Sequence, residues 1–125
     1  MNAVLVDSDV IIEVLKQGDR EILSKWDELG RSEAVVVYSP VSAAEIWHGV
    51  RDAEQDSIIA LFSVMTCAPI DEEIGRKAGD FLRVFHRSHG LELGDALIAA
   101  TAWIHKLQLW TRNRKHYPMK DLRLF

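Results

Sequence analysis

Short apolar runs without polar alternation recur along the chain and predict its strands. The run at residues 2–6 is typical of a strand buried on both faces of a sheet, because every residue after Asn2 is apolar. The predicted strands are residues 2–6, 35–38, 64–67 and 107–111, with 122–125 as a further candidate.

Between these runs, apolar residues recur every three to four positions, the period of a helix with one buried face. In the stretch 71–89, Ile74, Ala78 and Phe81 form such a face. The stretch 95–106 is apolar almost all round, which predicts a helix that is covered on most sides. The predicted helices are residues 9–16, 19–30, 42–52, 54–63, 71–89 and 95–106.

This alternation of strands and helices predicts the fold class. Strands separated by helices are joined by right-handed crossovers, which give a parallel sheet with helices on both faces. We therefore expect an α/β fold with three layers, α/β/α, around a central, mostly parallel sheet. A chain of 125 residues is most naturally one domain, residues 1–125.

Composition narrows the function classes. Apolar residues make up 48% and charged residues 27% of the chain, as in globular rather than disordered proteins. The net charge of −4 argues against a simple nucleic-acid binder, although it does not exclude an enzyme whose bound metal ions meet the phosphates.

Location follows from what the sequence lacks. No apolar run is long enough to span a membrane, and residues 1–6 do not resemble a signal peptide. Cys67 is the single cysteine and lies in an apolar stretch, which predicts a buried thiol in a reducing compartment. The cytoplasm is the expected location.

Three carboxylates carry the candidate chemistry: Asp7, Glu45 and Asp95. Each lies where a strand or a loop turns into a predicted helix, and ligands of open α/β sheets bind beyond the carboxyl ends of the strands. Three such groups within about 4 Å of each other would repel by roughly 4 kcal/mol per pair, so they would protonate or recruit a cation. Carboxylate oxygens suit Mg²⁺ or Mn²⁺.

Each acid also has a structural interpretation. Ser42 and Glu45 have the spacing of a helix capping box. Asp95 is an acid of the kind that a helix dipole favours in the first turn. Asp9 is a candidate N-cap of the helix at 9–16. The residue pattern alone leaves both sets of interpretations open.

The ordered motifs resemble those of one family, the PIN-domain ribonucleases. Val4–Ile12 resembles the opening motif of that family, and Ser42–Ile46 resembles the second. Gly94–Ala102 is similar to the third and most distinctive motif, and Leu109–Asn113 resembles the fourth. The resemblance covers essentially the whole chain, and its compact form is most similar to the VapC-type toxins of toxin–antitoxin pairs.

The resemblance implies a metal-dependent endoribonuclease that hydrolyses phosphodiester bonds in RNA and leaves 5′-phosphate and 3′-hydroxyl ends. It implies Asp7, Glu45 and Asp95 as the catalytic acids, with Asp7 and Asp95 as the ligands of Mg²⁺ or Mn²⁺. Where many PIN domains have a fourth acid, this chain has Thr111, Arg112 and Asn113. The remaining expected site residues are Asp9, Thr111 and Asn113 in supporting roles, and Arg112, Arg114 and Lys115 as contacts to RNA phosphates.

The resemblance also implies partners: RNA, an antitoxin of the VapB type, and a second copy of the chain in a homodimer. The predicted helices 42–52 and 54–63 carry more apolar side chains than one core clearly requires. Either those side chains are all internal, or some of them form a groove for the antitoxin and a dimer face.

Three other interpretations compete. The segment Asp7–Ile11 partly matches the signature of haloacid-dehalogenase-like phosphatases, in which Asp7 would be the nucleophile, although Ile11 departs from that signature. A response-regulator receiver would need an acid after the strand at 35–38, where Ser39 and Pro40 stand instead. The third is a non-catalytic interaction module with a PIN-like fold.

Overall fold

Four strands form one all-parallel sheet in the computed structural model, which describes residues 2–125. The order of the strands across the sheet is β3-β2-β1-β4. Their bounds are Ala3–Val6 for β1, Val35–Tyr38 for β2, Thr66–Cys67 for β3 and Gln108–Trp110 for β4. The predicted parallel sheet is confirmed. The further candidate strand at 122–125 is wrong, because that segment makes only an isolated bridge to β4, between Leu124 and Leu109.

Six α-helices lie at or close to the predicted places. They are α1 (Ser8–Lys16), α2 (Arg20–Gly30), α3 (Pro40–His48), α4 (Gln55–Ser63), α5 (Glu72–His89) and α6 (Leu93–His105). Short 3₁₀ turns cover Asp52–Glu54 and Arg114–His116. None of the helices within residues 2–125 is both long and apolar enough to cross a membrane.

The start of α3 differs from the prediction. The helix begins at Pro40, and Ser39 is its N-cap, with its side chain accepting a hydrogen bond from the Val41 amide. Proline fits the first helical position because its ring already has a helical φ and that position needs no amide donor. The capping box of Ser42 and Glu45 is therefore wrong, since both residues lie inside the helix.

Alternate side chains of β1 enter two separate cores. Val4 and Val6 pack with buried residues of α1, α2, α3 and α4 on one face. Leu5 packs on the other face, with buried residues of α5 and α6. Since both faces of the sheet are covered, the layers are α/β/α as predicted.

The direction of the chain across the sheet reverses between β1 and β4. From β1 the chain moves outward to β2 and β3, and it then crosses by α5 and α6 to β4, on the opposite side of β1. In open parallel sheets the crevice beyond the strand ends at such a reversal is where ligands bind. Asp7 follows β1 and Thr111 follows β4, so both lie at this crevice.

The thiol of Cys67 is exposed, not buried as its apolar neighbours predict. Strand β3 is at the edge of the sheet and only two residues long, so its side chains are not enclosed on both sides.

Candidate active site

Asp7 joins the end of β1 to the start of α1. Its backbone is extended (φ −73°, ψ 158°), and its amide continues the sheet by donating to the carbonyl of Trp110 at 2.9 Å. Its side-chain Oδ1 accepts a hydrogen bond from the Ser8 amide at 2.8 Å. Asp7 is therefore the N-cap of α1, and the prediction that Asp9 has this role is wrong because Asp9 lies in the first helical turn.

Two hydroxyl groups from the C-terminal part of the chain hold the other oxygen of Asp7. Thr111 Oγ1 and the Tyr117 hydroxyl each donate to Asp7 Oδ2, both at 2.9 Å. Asp7 is only 7% exposed, so these donors replace the water that its charge would otherwise attract.

Asp95 lies next to Asp7 in the first turn of α6. Its Oδ1 is 3.3 Å from the Tyr117 hydroxyl, and its Oδ2 is 3.6 Å from His116 Nδ1. Tyr117 thus bridges two acids that are far apart in the sequence. Gly94, the residue before Asp95, packs closely against α3, where a Cβ at that position would lie 3.3 Å from a methyl group of Val41.

The acids on this side of the site disfavour each other's charge. Burial and the neighbouring charge of Asp7 raise the pKa of Asp95 above its ordinary value, against smaller opposing effects of His116 and Tyr117. Burial and the charge of Asp7 raise the pKa of Asp9 to about 6. Burial, followed by the charges of Asp7 and Asp95, raises the pKa of the Tyr117 hydroxyl, which keeps its proton. A cation at this position would relieve the repulsion between the carboxylates.

Only one of the two carboxylate oxygens of Asp9 accepts a hydrogen bond from the described residues. Its Oδ2 accepts a hydrogen bond from the Arg112 amide at 3.0 Å and lies 3.5 Å from Thr111 Oγ1. Its Oδ1 is buried and has no hydrogen-bond partner among residues 2–125. A buried carboxylate oxygen without a donor costs free energy, and a water molecule or a cation is the usual explanation.

Glu45 reaches the site from α3 by a different route. It is exposed, and its Oε1 accepts a hydrogen bond from Ser8 Oγ at 2.8 Å. Ser8 Oγ also lies 3.0 Å from the hydroxyl of buried Ser42. An ionised carboxylate can only accept hydrogen bonds, so Ser8 donates its single hydroxyl proton to Glu45. The Ser42 hydroxyl then donates to Ser8 Oγ.

The three predicted acids do not form one tight cluster. Within residues 2–125, no three carboxylate, imidazole or thiol side chains are close enough together to hold one metal ion. The structure instead brings Asp7 and Asp95 together as a pair, and places Glu45 beside Asp7 through Ser8. A carboxylate pair, with water completing the coordination, suits Mg²⁺ or Mn²⁺, whereas zinc sites require more protein ligands.

Two of the other predicted residues, Arg112 and Asn113, contact Asp9 and Thr111 through their backbone amides. The Asn113 amide donates to Thr111 Oγ1 at 3.0 Å. The Arg112 guanidinium pairs with Glu13 at 2.8 Å and lies 3.9 Å from Asp19, so its charge is balanced within the chain. Arg114 donates to the carbonyl of Phe125. Lys115 is exposed.

Four site residues were not predicted: Ser8, Ser42, His116 and Tyr117. Ser8 had a usable signal, because it is the polar residue directly after Asp7 in the opening motif. Ser42 was noted only as a cap. His116 and Tyr117 lie in a segment without periodicity, so no pattern pointed to the site.

Comparison with known proteins identifies the family of the chain. Residues 4–122 match a family model described as PIN domain. Ribonuclease VapC10 of Mycobacterium tuberculosis is 42% identical over 119 residues, which cover 93% of this chain and 86% of that protein. Ribonuclease VapC19 of the same species is 34% identical over 100 residues, covering 79% of this chain and 74% of the relative.

A solved structure shows the same architecture. A chain of a toxin–antitoxin complex from Klebsiella pneumoniae superposes with a TM-score of 0.70 at 25% identity, covering 95% of this chain and 94% of that chain.

Proposed function

This chain belongs to the PIN-domain family, and from that premise we propose that it is a metal-dependent endoribonuclease, the toxin of a toxin–antitoxin pair. The observation that carries the proposal is the pairing of Asp7 and Asp95 through Tyr117 at the crevice where the strand order reverses. The identity to VapC ribonucleases over most of their length supports the choice of RNA as the substrate.

Asp7 and Asp95 are the proposed ligands of Mg²⁺ or Mn²⁺. When bound, such a cation supplies Lewis-acid stabilisation of the charge that develops on a phosphodiester. Thr111 and Tyr117 hold the Asp7 carboxylate in place, and Asp9 adds negative charge beside it. The pKa values of Asp9 and Asp95 are raised by burial and by the charge of Asp7, and a nearby positive charge would oppose both effects, which supports a cation here.

Glu45 is the proposed general base. Its exposed carboxylate can reach solvent, while the hydrogen bond from Ser8 orients one of its oxygens. In the proposed reaction Glu45 accepts a proton from the attacking water, the water oxygen bonds to phosphorus, and the bond from phosphorus to the 3′ oxygen breaks. The 3′ oxygen takes up a proton from solvent and Glu45 returns its proton to solvent, so the products are a 5′-phosphate and a 3′-hydroxyl.

The flanking phosphates of RNA are proposed to contact Arg112, Arg114 and Lys115, with Asn113 in a supporting role. All three cations are exposed, and Lys115 is the strongest candidate because the charge of Arg112 is balanced by Glu13 and Asp19 and Arg114 donates to the carbonyl of Phe125. The net charge of −4 makes a cation at the acids more important for binding a polyanion.

We further propose that the chain acts in the cytoplasm as a single domain, residues 1–125, and that it binds an antitoxin of the VapB type and forms a homodimer. Similarity to VapC ribonucleases and to a toxin–antitoxin complex supports these partners. Of the apolar residues in the predicted helices 42–52 and 54–63, Ile59 and Trp47 remain exposed, 56% and 37% respectively. The phosphatase and interaction-module alternatives are not favoured, since the relatives named above are ribonucleases.

The test is cleavage of a single-stranded RNA by the purified protein. Mn²⁺ or Mg²⁺ should support cleavage, and EDTA should abolish it until the cation is added back. Asp95→Asn keeps the size and shape of the side chain but removes its charge, so we expect a loss of about 10³-fold, equivalent to about 4 kcal/mol of transition-state stabilisation.

Asp80→Asn is the matched control, because Asp80 lies on the outer face of α5 and pairs only with Arg83. It should cleave at the native rate. Cleavage that continues in EDTA, or an Asp95→Asn variant with native activity, would overturn the proposal.

A further inference from the structure

Tyr117 touches both proposed ligands, and the function proposed above does not say how its contact with Asp7 prepares that ligand for a cation. Its ring is part of the core between the sheet and helices α5 and α6, and the residue is 4% exposed. Its hydroxyl lies 2.9 Å from Asp7 Oδ2 and 3.3 Å from Asp95 Oδ1. Since the buried ring cannot move aside, the position of the hydroxyl is set by the core.

A tyrosine hydroxyl has one proton, so it donates to one of the two acids at a time. Hydrogen bonds between two oxygens are normally no longer than about 3.0 Å. The proton is therefore directed to Asp7, at 2.9 Å, rather than to Asp95, at 3.3 Å.

The hydrogen bonds of Asp7 leave one position open. A carboxylate has about four acceptor positions, two on each oxygen. Thr111 and Tyr117 occupy both positions of Oδ2, and the Ser8 amide occupies one position of Oδ1. The remaining acceptor position is on Oδ1.

We infer that Tyr117 is a positioning residue which, with Thr111, saturates Oδ2 of Asp7 and leaves Oδ1 as the single oxygen available to a divalent cation. This inference rests on the proposed function and adds to it the way in which the chain prepares its ligand. Groups that hydrogen-bond a metal-binding carboxylate restrict its rotation, and their loss commonly lowers metal affinity by about 10- to 100-fold.

The test is Tyr117→Phe, which removes the hydroxyl and keeps the ring in the core. Tyr38→Phe is the matched control, because Tyr38 is the other tyrosine of the chain and its ring packs on Phe62 in the core on the opposite face of the sheet from Tyr117. The readout is the dissociation constant for Mn²⁺, measured by calorimetry and by electron paramagnetic resonance on the full chain without RNA.

We expect Tyr117→Phe to weaken Mn²⁺ binding about tenfold or more, and Tyr38→Phe to leave it within about twofold of the native value. Saturating Mn²⁺ should restore most of the kcat for RNA cleavage, because the defect lies in holding the cation. A residue that only packs in the core would not produce this metal-dependent recovery.

Thr111→Val provides a second variant in case Tyr117→Phe does not fold. It removes the other donor to Oδ2 and should also weaken Mn²⁺ binding. Native Mn²⁺ affinity in a folded Tyr117→Phe variant, or in Thr111→Val where the first does not fold, would overturn this inference alone. A native protein that binds no Mn²⁺ would overturn the proposed function together with it.

Discussion

Asp7 and Glu45 are joined by one serine, yet the fold holds them in opposite ways. Asp7 is almost fully buried and accepts hydrogen bonds from an amide and two hydroxyl groups. Glu45 is exposed and accepts one hydrogen bond, from Ser8. A carboxylate held by several donors is suited to binding a cation in a defined position, whereas a carboxylate that reaches solvent and is oriented by one hydrogen bond is suited to accepting a proton from water. The difference in support thus predicts a difference in role.

The strongest test of this comparison is Glu45→Gln. Loss of the proposed base should lower kcat about 100-fold, since general-base catalysis typically contributes a factor of that order. The Mn²⁺ affinity should stay near its native value because Glu45 is not a proposed ligand. Kinetics of RNA cleavage and Mn²⁺ titration of the same preparation provide the two measurements.

Glu28→Gln, a change on the exposed side of α2, serves as the control for Glu45→Gln. If Glu45→Gln weakened Mn²⁺ binding as strongly as Asp95→Asn, then Glu45 would be a ligand and the contrast with Asp7 would be lost.

Ser8→Ala sharpens the comparison, because Ser8 serves the two acids with different atoms. Its hydroxyl donates to Glu45, while its backbone amide donates to Asp7 and is kept in the variant. We expect kcat to fall about tenfold, as expected for loss of a hydrogen bond to a charged group, with unchanged Mn²⁺ affinity. Ser24→Ala, at an exposed position of α2, should change neither quantity. A selective loss of Mn²⁺ affinity in Ser8→Ala would contradict the assignment.

The smallest expected effect is on stability. The pH dependence of unfolding tests whether the fold disfavours the charged form of Asp9. The pKa of Asp9 is about 6 in the folded chain against an ordinary value of 3.8. Between these values the folded state binds more protons than the unfolded state, so the free energy of unfolding falls as the pH rises from 4 to 6 and then levels off. Asp9→Asn removes this contribution.

Because Asp9 is partly exposed, solvent screening reduces the expected contribution to about 1 kcal/mol. Urea unfolding in EDTA at pH 4.5 and pH 7 should show that the native chain loses about this much more stability than Asp9→Asn over the interval. Equal losses in the two proteins would show that Asp9 carries no such penalty.

The sequence predicted the elements whose signals are local. Asp7 and Asp95 were chosen as candidates because each adjoins an apolar segment, a strand before Asp7 and a helix after Asp95. Such segments are visible in the sequence because a strand or helix that is covered on both sides must be apolar all round. The start of α3 was placed too late, since Pro40 was interpreted as a break and not as the first helical residue.

Contacts between residues that are far apart in the sequence could not be predicted from local patterns. Cys67 is exposed because β3 lies at the edge of the sheet. The apolar residues next to Cys67 in the sequence do not indicate that edge position. The bridge by Tyr117 depends on a segment without periodicity folding back against β1 and α6. Spacing predicted that acids would meet at the sheet edge, but it gave no information on the hydroxyl groups that hold them.

The long separation between Asp7 and its hydroxyl donors has a consequence for synthesis. Thr111 and Tyr117 are 104 and 110 residues further along the chain than the carboxylate they support. During translation the first strand leaves the ribosome long before residues 111–117 are made, so the Asp7 carboxylate at first lacks these two hydrogen bonds. Assembly of the site therefore depends on contacts between the end of the first strand and a segment more than 100 residues further along the chain.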